Sequence, residues 1–329
     1  VTAVASAPGG GAPSGVEGPP PGVDGRTWHY RDFYHVAPAT DDDRPLLVVH
    51  GNCQAEALRV VVEHSSQTYR TVRVPAVHEL TADDVAPLQR LLTRCDVLVV
   101  QPVKAGYHDL PLGTEDVRAA APQAHAVVFP VVRDSRLHPF QALVRVPTVG
   151  DPPVVPYHDL RTLALAASIY GSRTAAAPVG RPPVLPDGVR EVARRSQQEL
   201  RRREGEHGTL AAHDLLETAG ARASHTLNHP GNPVLVGLAQ RVLDALEDGS
   251  TAADPGRTLL RSVIAPLDAA VLDALGLDTS YARAGWQVDG EPVSDEDVVE
   301  EQLRWYGHHP EVVRAGLQRH AAQLEVLGL

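Results

Sequence analysis

Methionine is absent from this 329-residue chain, even at position 1, and cysteine occurs only twice. Two cysteines cannot build a disulfide framework, so the fold must rest on a hydrophobic core and the chain suits a reducing, cytoplasmic compartment. The missing methionines make contiguous motifs safer ground than long spacings. Aromatic residues are also scarce, at 4%, yet 43% of the chain is hydrophobic, mostly Ala, Val and Leu. That content at this length buries one large core or two modest ones and excludes disorder throughout. No apolar run approaches the ~20 residues of a membrane span, so no transmembrane segment is expected. Lys104 is the only lysine, which leaves arginine to meet phosphates and carboxylates. A formal charge of −11 argues against a nucleic-acid-binding face, because neutralising phosphates needs basic surface. Neither Cys-x-x-Cys nor His-Glu-x-x-His occurs, so no metal site is expected. Walker A and Gly-x-Gly-x-x-Gly are missing after the first strand, which argues against an ordinary NTPase or dinucleotide oxidoreductase.

What is present divides the chain into three. Residues 1–25 are rich in Gly, Pro and Ala and have too little to bury against the entropy of ordering, so a disordered tail is expected. It has no charged n-region followed by an apolar h-region, and a signal peptide is not expected. Residues 26–180 alternate short apolar runs with helical periodicity: strands at Pro45 to His50, Arg70 to Val74, Asp96 to Gln101 and Ala124 to Phe129, helices at Gln54 to His64 and Ala82 to Arg94. Strands separated by helices imply parallel pairing with right-handed crossovers, an α/β Rossmann-like core. Residues 181–329 read as mainly helical and complete the site, with helices expected over Asp187 to Glu206, Ala211 to Glu217, Pro233 to Glu247, Pro255 to Leu275, Asp295 to Tyr306 and Pro310 to Leu327.

Chemistry concentrates where the first strand ends. His50, Gly51, Asn52, Cys53 and Gln54 form a strand, tight turn and helix start, and ligands of open α/β sheets bind at the carboxyl ends of strands beside helix N-termini. Cys53 sits where a thiolate gains most from the helix dipole and unpaired N–H groups. The competing reading makes Asn52 a plain cap and Cys53 a small buried apolar residue, as expected for Cys95. Parallel pairing would bring to the same edge Gln101, the loop holding Arg133, Arg136 and His138, and the segment Tyr157, His158, Asp159 and Arg161. Asn232 and Pro233 look like the cap and first residue of a helix, which leaves Asn228 and His229 as ligand contacts. The Arg- and Glu-rich stretch 190–203 reads as an exposed mixed-charge helix, with a phosphate site as the sharper alternative.

The block Gly51, Asn52, Cys53, Gln54, followed by Gln101-Pro102, Phe129-Pro130, Tyr157-His158-Asp159 and Asn228-His229-Pro230, resembles the WcbI-type acetyltransferase family of polysaccharide biosynthesis over roughly residues 44–247. The resemblance implies an α/β core with a helical elaboration, binding of coenzyme A or its 3′-phosphoadenosine part, and acetylation of a sugar hydroxyl in capsule or related glycan assembly. The expected activity is therefore acetyl-CoA-dependent O-acyl transfer to a hydroxyl-bearing sugar or glycan. Cys53 would take the acyl group or lie against the cofactor thiol, His158 would act as base, and Asn52 would stabilise the oxyanion. His50, Gly51, Gln54, Gln101, Arg133, Arg136, Arg161, Asn228 and His229 would bind the cofactor, arginines meeting its phosphates. A sulfotransferase using 3′-phosphoadenosine-5′-phosphosulfate, a Cys-dependent esterase and a non-catalytic CoA-binding protein are the alternatives.

Overall fold

The structure, a computed structural model, describes residues 19–36, 42–171 and 182–329. Residues 1–18 of the expected tail, and the expected division near residue 180, lie outside them. A short helix α1 (Gly25–His29) leads in, started by Asp24, whose side chain accepts the Thr27 N–H. The sheet comprises β1 (Leu46–His50), β2 (Arg70–Thr71), β3 (Val97–Val100) and β4 (His125–Val128), in the order β2-β1-β3-β4. All three pairings are parallel, with Leu47 opposite Val97 and Val97 opposite His125. The crossovers carry α2 (Cys53–Ser65), α3 (Ala82–Leu92) and α4 (Thr114–Ala120). The Rossmann-like α/β reading is therefore what the chain adopts.

Period-two geometry explains why β1 is apolar throughout: successive side chains point to opposite faces, and both faces are covered. Leu47 and Val49 join the core under α2, while Leu46 and Val48 join the core under α3 and α4.

The remaining chain adds β5 (Gln141–Ala142), β6 (His158–Asp159), α5 (Leu160–Gly171), α6 (Pro186–His207) and α7 (His213–Ala219). Then come β7 (Ser224–Thr226), β8 (His229–Pro230), α8 (Asn232–Ala245), β9 (Val263–Ile264) and α9 (Ala269–Ala274). β10 (Trp286–Val288), β11 (Glu291–Val293), α10 (Asp295–His308), α11 (Pro310–Arg319) and α12 (Ala321–Leu327) end it. Helix α8 packs on α2 in the first core, and α5, α6, α10, α11 and α12 surround a separate one.

Three expectations need correction. Residues 255–275 are not one helix: Pro255-Gly256 and Pro266 break it, leaving β9 and the short α9. Residues 310–327 are two helices, broken at His320. Asn232 is not a cap; Gly231 holds that position, and the Asn232 side chain instead accepts from Leu259 N–H and donates to Asp254 and the Arg257 carbonyl.

Candidate functional site at the first strand-to-helix turn

The turn after β1 is held by neutral amides. Asn52 caps α2, its Oδ1 accepting from Gln54 N–H at 2.9 Å. Gln101, at the end of β3, accepts the Asn52 N–H through Oε1 at 2.8 Å and donates Nε2 to Gln54 Oε1 and to the Pro130 carbonyl. Gln54 in turn donates to the carbonyls of Val132 (2.7 Å) and Asn228 (2.8 Å) and accepts from Val132 N–H at 3.0 Å. Gly51 is required by this packing: a Cβ there would meet Gln101 Oε1 at 2.4 Å. Gln54 and Gln101, expected to touch a cofactor, are both 1% exposed and bind the protein itself, knitting β1, β3, the 130–132 loop and the 228 turn together.

Cys53 is left half-buried at the first position of α2. Burial pushes its thiol up to about 11; the N–H groups of Cys53 and Gln54 pull the other way by less, and the Glu79 charge raises it further. The expected helix-dipole activation is present in direction and outweighed by desolvation. The Cys53 N–H and the Asn52 Nδ2 have no other protein acceptor among the described residues, whereas the N–H groups of Asn52 and Gln54 are taken up. Cys95 is buried against the carbonyls of Leu46 and Val97, as expected, and both cysteines are free.

Tyr157, whose sequence position beside His158 suggests a group that orients that ring, instead lies close enough to Cys53 for their charges to interact. Its hydroxyl donates to Asn228 Oδ1 at 2.8 Å and accepts from Thr226 Oγ1 at 3.0 Å. Asn228 thus orients Tyr157 through Oδ1 and anchors Gln54 through its carbonyl. The edge of the His229 ring meets the Tyr157 ring at 6.3 Å. One His229 nitrogen bonds the Val263 backbone, and Nδ1 is buried without a partner. A proton on the first nitrogen leaves a lone pair on Nδ1.

His158 is not available as a base. Its Nε2 faces the Val144 carbonyl at 3.2 Å and must carry the proton, so Nδ1 accepts the Tyr306 hydroxyl at 2.6 Å. The ring is 2% exposed, stacked on Tyr306 beside Trp305, and belongs to the helical core. His50 lies against the Leu112 carbonyl on the face covered by α3 and α4, with Nδ1 unpartnered.

The three arginines expected at phosphates separate sharply. Arg161 pairs with Asp159 at 2.7 Å, and Arg136 donates to the Leu216 carbonyl beside Asp134. Arg133 has no carboxylate partner among the described residues; burial lowers its pKa first, and the charges of Arg319 and Arg203 lower it further. Arg319 likewise lacks an acidic partner among the described residues, and Arg203 has only Glu199, at 3.7 Å. Arg319 lines a cavity of about 290 Å³ together with Ser135, Arg195, Ser196 and His320. Sequence reading missed Arg319, which no local pattern marks. The rest of α6 is the expected mixed-charge surface, with Arg194 on Glu191 and Arg202 between Glu199 and Glu206.

Among the described residues, no group of three or more His, Cys, Asp or Glu side chains is arranged to hold a metal. A parallel Rossmann-like sheet presents a half-buried thiol at its carboxyl edge and a helix start, the edge at which open α/β sheets bind their ligands. Residues 46–248 match the family of the polysaccharide biosynthesis enzyme WcbI, and the chain belongs to that family. It is also similar to a solved structure of WcbI, described as a novel polysaccharide biosynthesis enzyme, in native form without a disulfide bond between coenzyme A and one of its cysteines. That likeness has a TM-score of 0.69 at 20% identity and covers 87% of this chain and 97% of the other, a correspondence of fold. No curated protein matches the chain.

Proposed function

We propose that this protein is an acyl-CoA-dependent O-acyltransferase, acetyl-CoA its donor, acting on a hydroxyl of a sugar or glycan in polysaccharide biosynthesis. The observation that carries the reading is the half-buried Cys53 thiol beside Tyr157, at a helix start whose neighbouring amides are engaged in holding it there. Family membership and a structural neighbour described in relation to coenzyme A and a cysteine support it. A CoA thioester supplies an activated acyl group. The residues present suit one: Arg133, Arg203 and Arg319 form a cationic group short of carboxylates, fitted to phosphates, and Cys53 suits a thiol-bearing end.

A thiol raised to about 11 is only about one part in 10⁴ thiolate at pH 7, and among the described residues no histidine hydrogen-bonds Sγ. We therefore favour direct transfer, with Cys53 lying against the donor thiol rather than taking the acyl group. His229 Nδ1 replaces His158 as the proton acceptor for the attacking hydroxyl, since its lone pair is the one left unengaged beside Tyr157. Cys53 N–H and Asn52 Nδ2 are the donors available to negative charge developing on the acyl oxygen. The reading carries a cytoplasmic location, where CoA thioesters are made; no helix among the described residues is long and apolar enough to cross a membrane.

Two measurements test this. Thermal shift with CoA and with 3′-phosphoadenosine-5′-phosphosulfate should favour CoA, and turnover of the sulfonucleotide alone would make the protein a sulfotransferase. Intact mass after incubation with acetyl-CoA should be unchanged, with Cys53→Ala retaining transfer; an acetylated Cys53 that then empties onto acceptor would overturn direct transfer.

A further inference from the structure

A cavity of about 430 Å³ lies outside the turn that holds Cys53, which is not among its lining residues. It opens between the 137–141 segment, the start of α5, the β9–α9 connection and β10, and its volume lies in the range of small-molecule sites. Trp286 is the wall it shares with the thiol site: the indole lines the cavity and stacks on Tyr157 at 6.4 Å and 22°.

Two lining groups have unmet hydrogen-bonding capacity. His138 is only 4% exposed; one ring nitrogen bonds the Ser224 backbone, and Nε2 has no partner. A buried imidazole lone pair without a donor costs free energy until something supplies an O–H or N–H. Arg283 donates Nε and Nη2 to the Ala265 carbonyl and has no carboxylate partner among the described residues, which leaves Nη1 available to an acceptor. The lining therefore offers an acceptor and a donor together, as a hydroxyl group requires.

Charge balance then decides the class of ligand. Among the described residues, the lining holds two guanidiniums, Arg161 and Arg283, and three carboxylates, Asp159, Asp268 and Asp295, with Arg161 paired to Asp159 at 2.7 Å. With no excess of positive charge, phosphate or carboxylate ligands gain nothing here, in contrast to the cluster around Arg133. Phe140, Leu267 and Trp286 supply apolar surface for C–H faces. Polar groups interleaved with apolar faces at near-neutral charge are complementary to an uncharged, hydroxyl-rich ring.

We infer that this cavity binds a neutral sugar ring of the acyl acceptor, a ligand hydroxyl donating to His138 Nε2 and a ligand oxygen accepting from Arg283. The inference rests on the O-acyltransferase reading for its word acceptor, while the binding itself stands apart from it. Saturation-transfer NMR with methyl α-D-mannopyranoside, methyl β-D-glucopyranoside and methyl β-D-galactopyranoside, on the full chain, tests it. At least one glycoside should show transfer. Ala284→Trp, at the exposed rim, should lower its affinity tenfold or more without disturbing the core. His138→Leu should do the same, and His138→Gln, whose Oε1 still accepts, should retain most of the signal. No transfer from any glycoside, or transfer that Ala284→Trp leaves unchanged, would overturn the inference. Equal loss in His138→Leu and His138→Gln would overturn the role of the ring nitrogen. CoA-induced thermal shifts on the same proteins separate the two readings: their absence with glycoside binding intact would refute the transferase reading alone.

Discussion

Truncating Gln54 to alanine decides whether this residue serves the fold or a ligand. In the structure its amide meets four partners: the carbonyls of Val132 and Asn228, the Val132 N–H and the Gln101 Nε2. All of this is buried, with Gln54 at 1% exposure. Each buried polar group left without a partner costs about 1–3 kcal/mol. Water entering the vacated space would satisfy some of them, and neighbouring losses do not add fully. A net destabilisation of about 3–5 kcal/mol results, which for a body of this size lowers Tm by roughly 4–8 °C. Gln54→Met keeps most of the volume and still leaves the partners unmet, so it should lose nearly as much. Differential scanning calorimetry, alongside CoA titration by isothermal calorimetry at a temperature where both variants are folded, gives the answer. Unchanged Tm with weakened CoA binding would refute the structural role and restore Gln54 to the ligand.

Three further outcomes follow from the same geometry. Alkylation of Cys53 by iodoacetamide, followed by peptide mapping to separate it from Cys95, should keep rising from pH 8 to beyond pH 10, since burial lifts the thiol to about 11; a plateau below pH 8 would contradict this. Arg133→Met and Arg319→Met should each weaken CoA binding by roughly tenfold and leave phosphate-free pantetheine unaffected, given the ~1.5–3 kcal/mol of a hydrogen bond to a charged group; equal loss for both ligands would show that the arginines act on the fold. Burial lowers His50, His158, His225 and His229 to about 4 and His138 to about 3. Between their unfolded value near 6.5 and these folded values the unfolded chain binds more protons, so stability is present above about pH 6.5 and falls with pH, by up to about 1.4 kcal/mol per unit for each group. Urea titrations at pH 7, 6 and 5 should show the midpoint dropping steeply, and a flat profile would mean that these rings are solvated.

The sheet was legible because its signal is local. A strand covered on both faces must be apolar at every position, and Leu46 to Val49 and Val97 to Val100 are. The small antiparallel pieces were not, because β9 and β5 are two residues long and gain their pairing from tertiary neighbours rather than from any period. Helix α6 could be read through its first-turn proline and its charge pairs, whereas residues 255–275, expected as one helix, turn at Gly256 with positive φ and break again at Pro266. At the site, contiguity carried the information. The turn around Cys53 lies within four residues of sequence, so its strand end, tight turn and helix start could be read directly. His158 stands between Tyr157 and Asp159 in sequence, yet its partners are Val144 and Tyr306, the latter 148 residues away. Arg319 meets Arg133 from the far end of the chain, a juxtaposition that only packing creates.

The block of Gly51, Asn52, Cys53 and Gln54 therefore divides into three residues that build and one, Cys53, whose half-buried thiol takes no part in the ties. Gly51 makes room for the Gln101 side chain, Asn52 starts the helix, and Gln54 ties that start to two loops from elsewhere in the fold. All of these ties are neutral amides. A carboxylate or guanidinium in place of either glutamine would hold the turn as well in water, but in this buried position it would carry a desolvation cost of its own and shift the thiol beside it. Amides supply donors and acceptors in fixed directions without adding charge. Cys53 is consequently governed by burial, the backbone N–H groups and the charge of Glu79, which together keep its thiol protonated at neutral pH. A neutral thiol in that place is suited to contact with another sulfur rather than to reaction as a free thiolate, which is why the proposed transfer is drawn as direct.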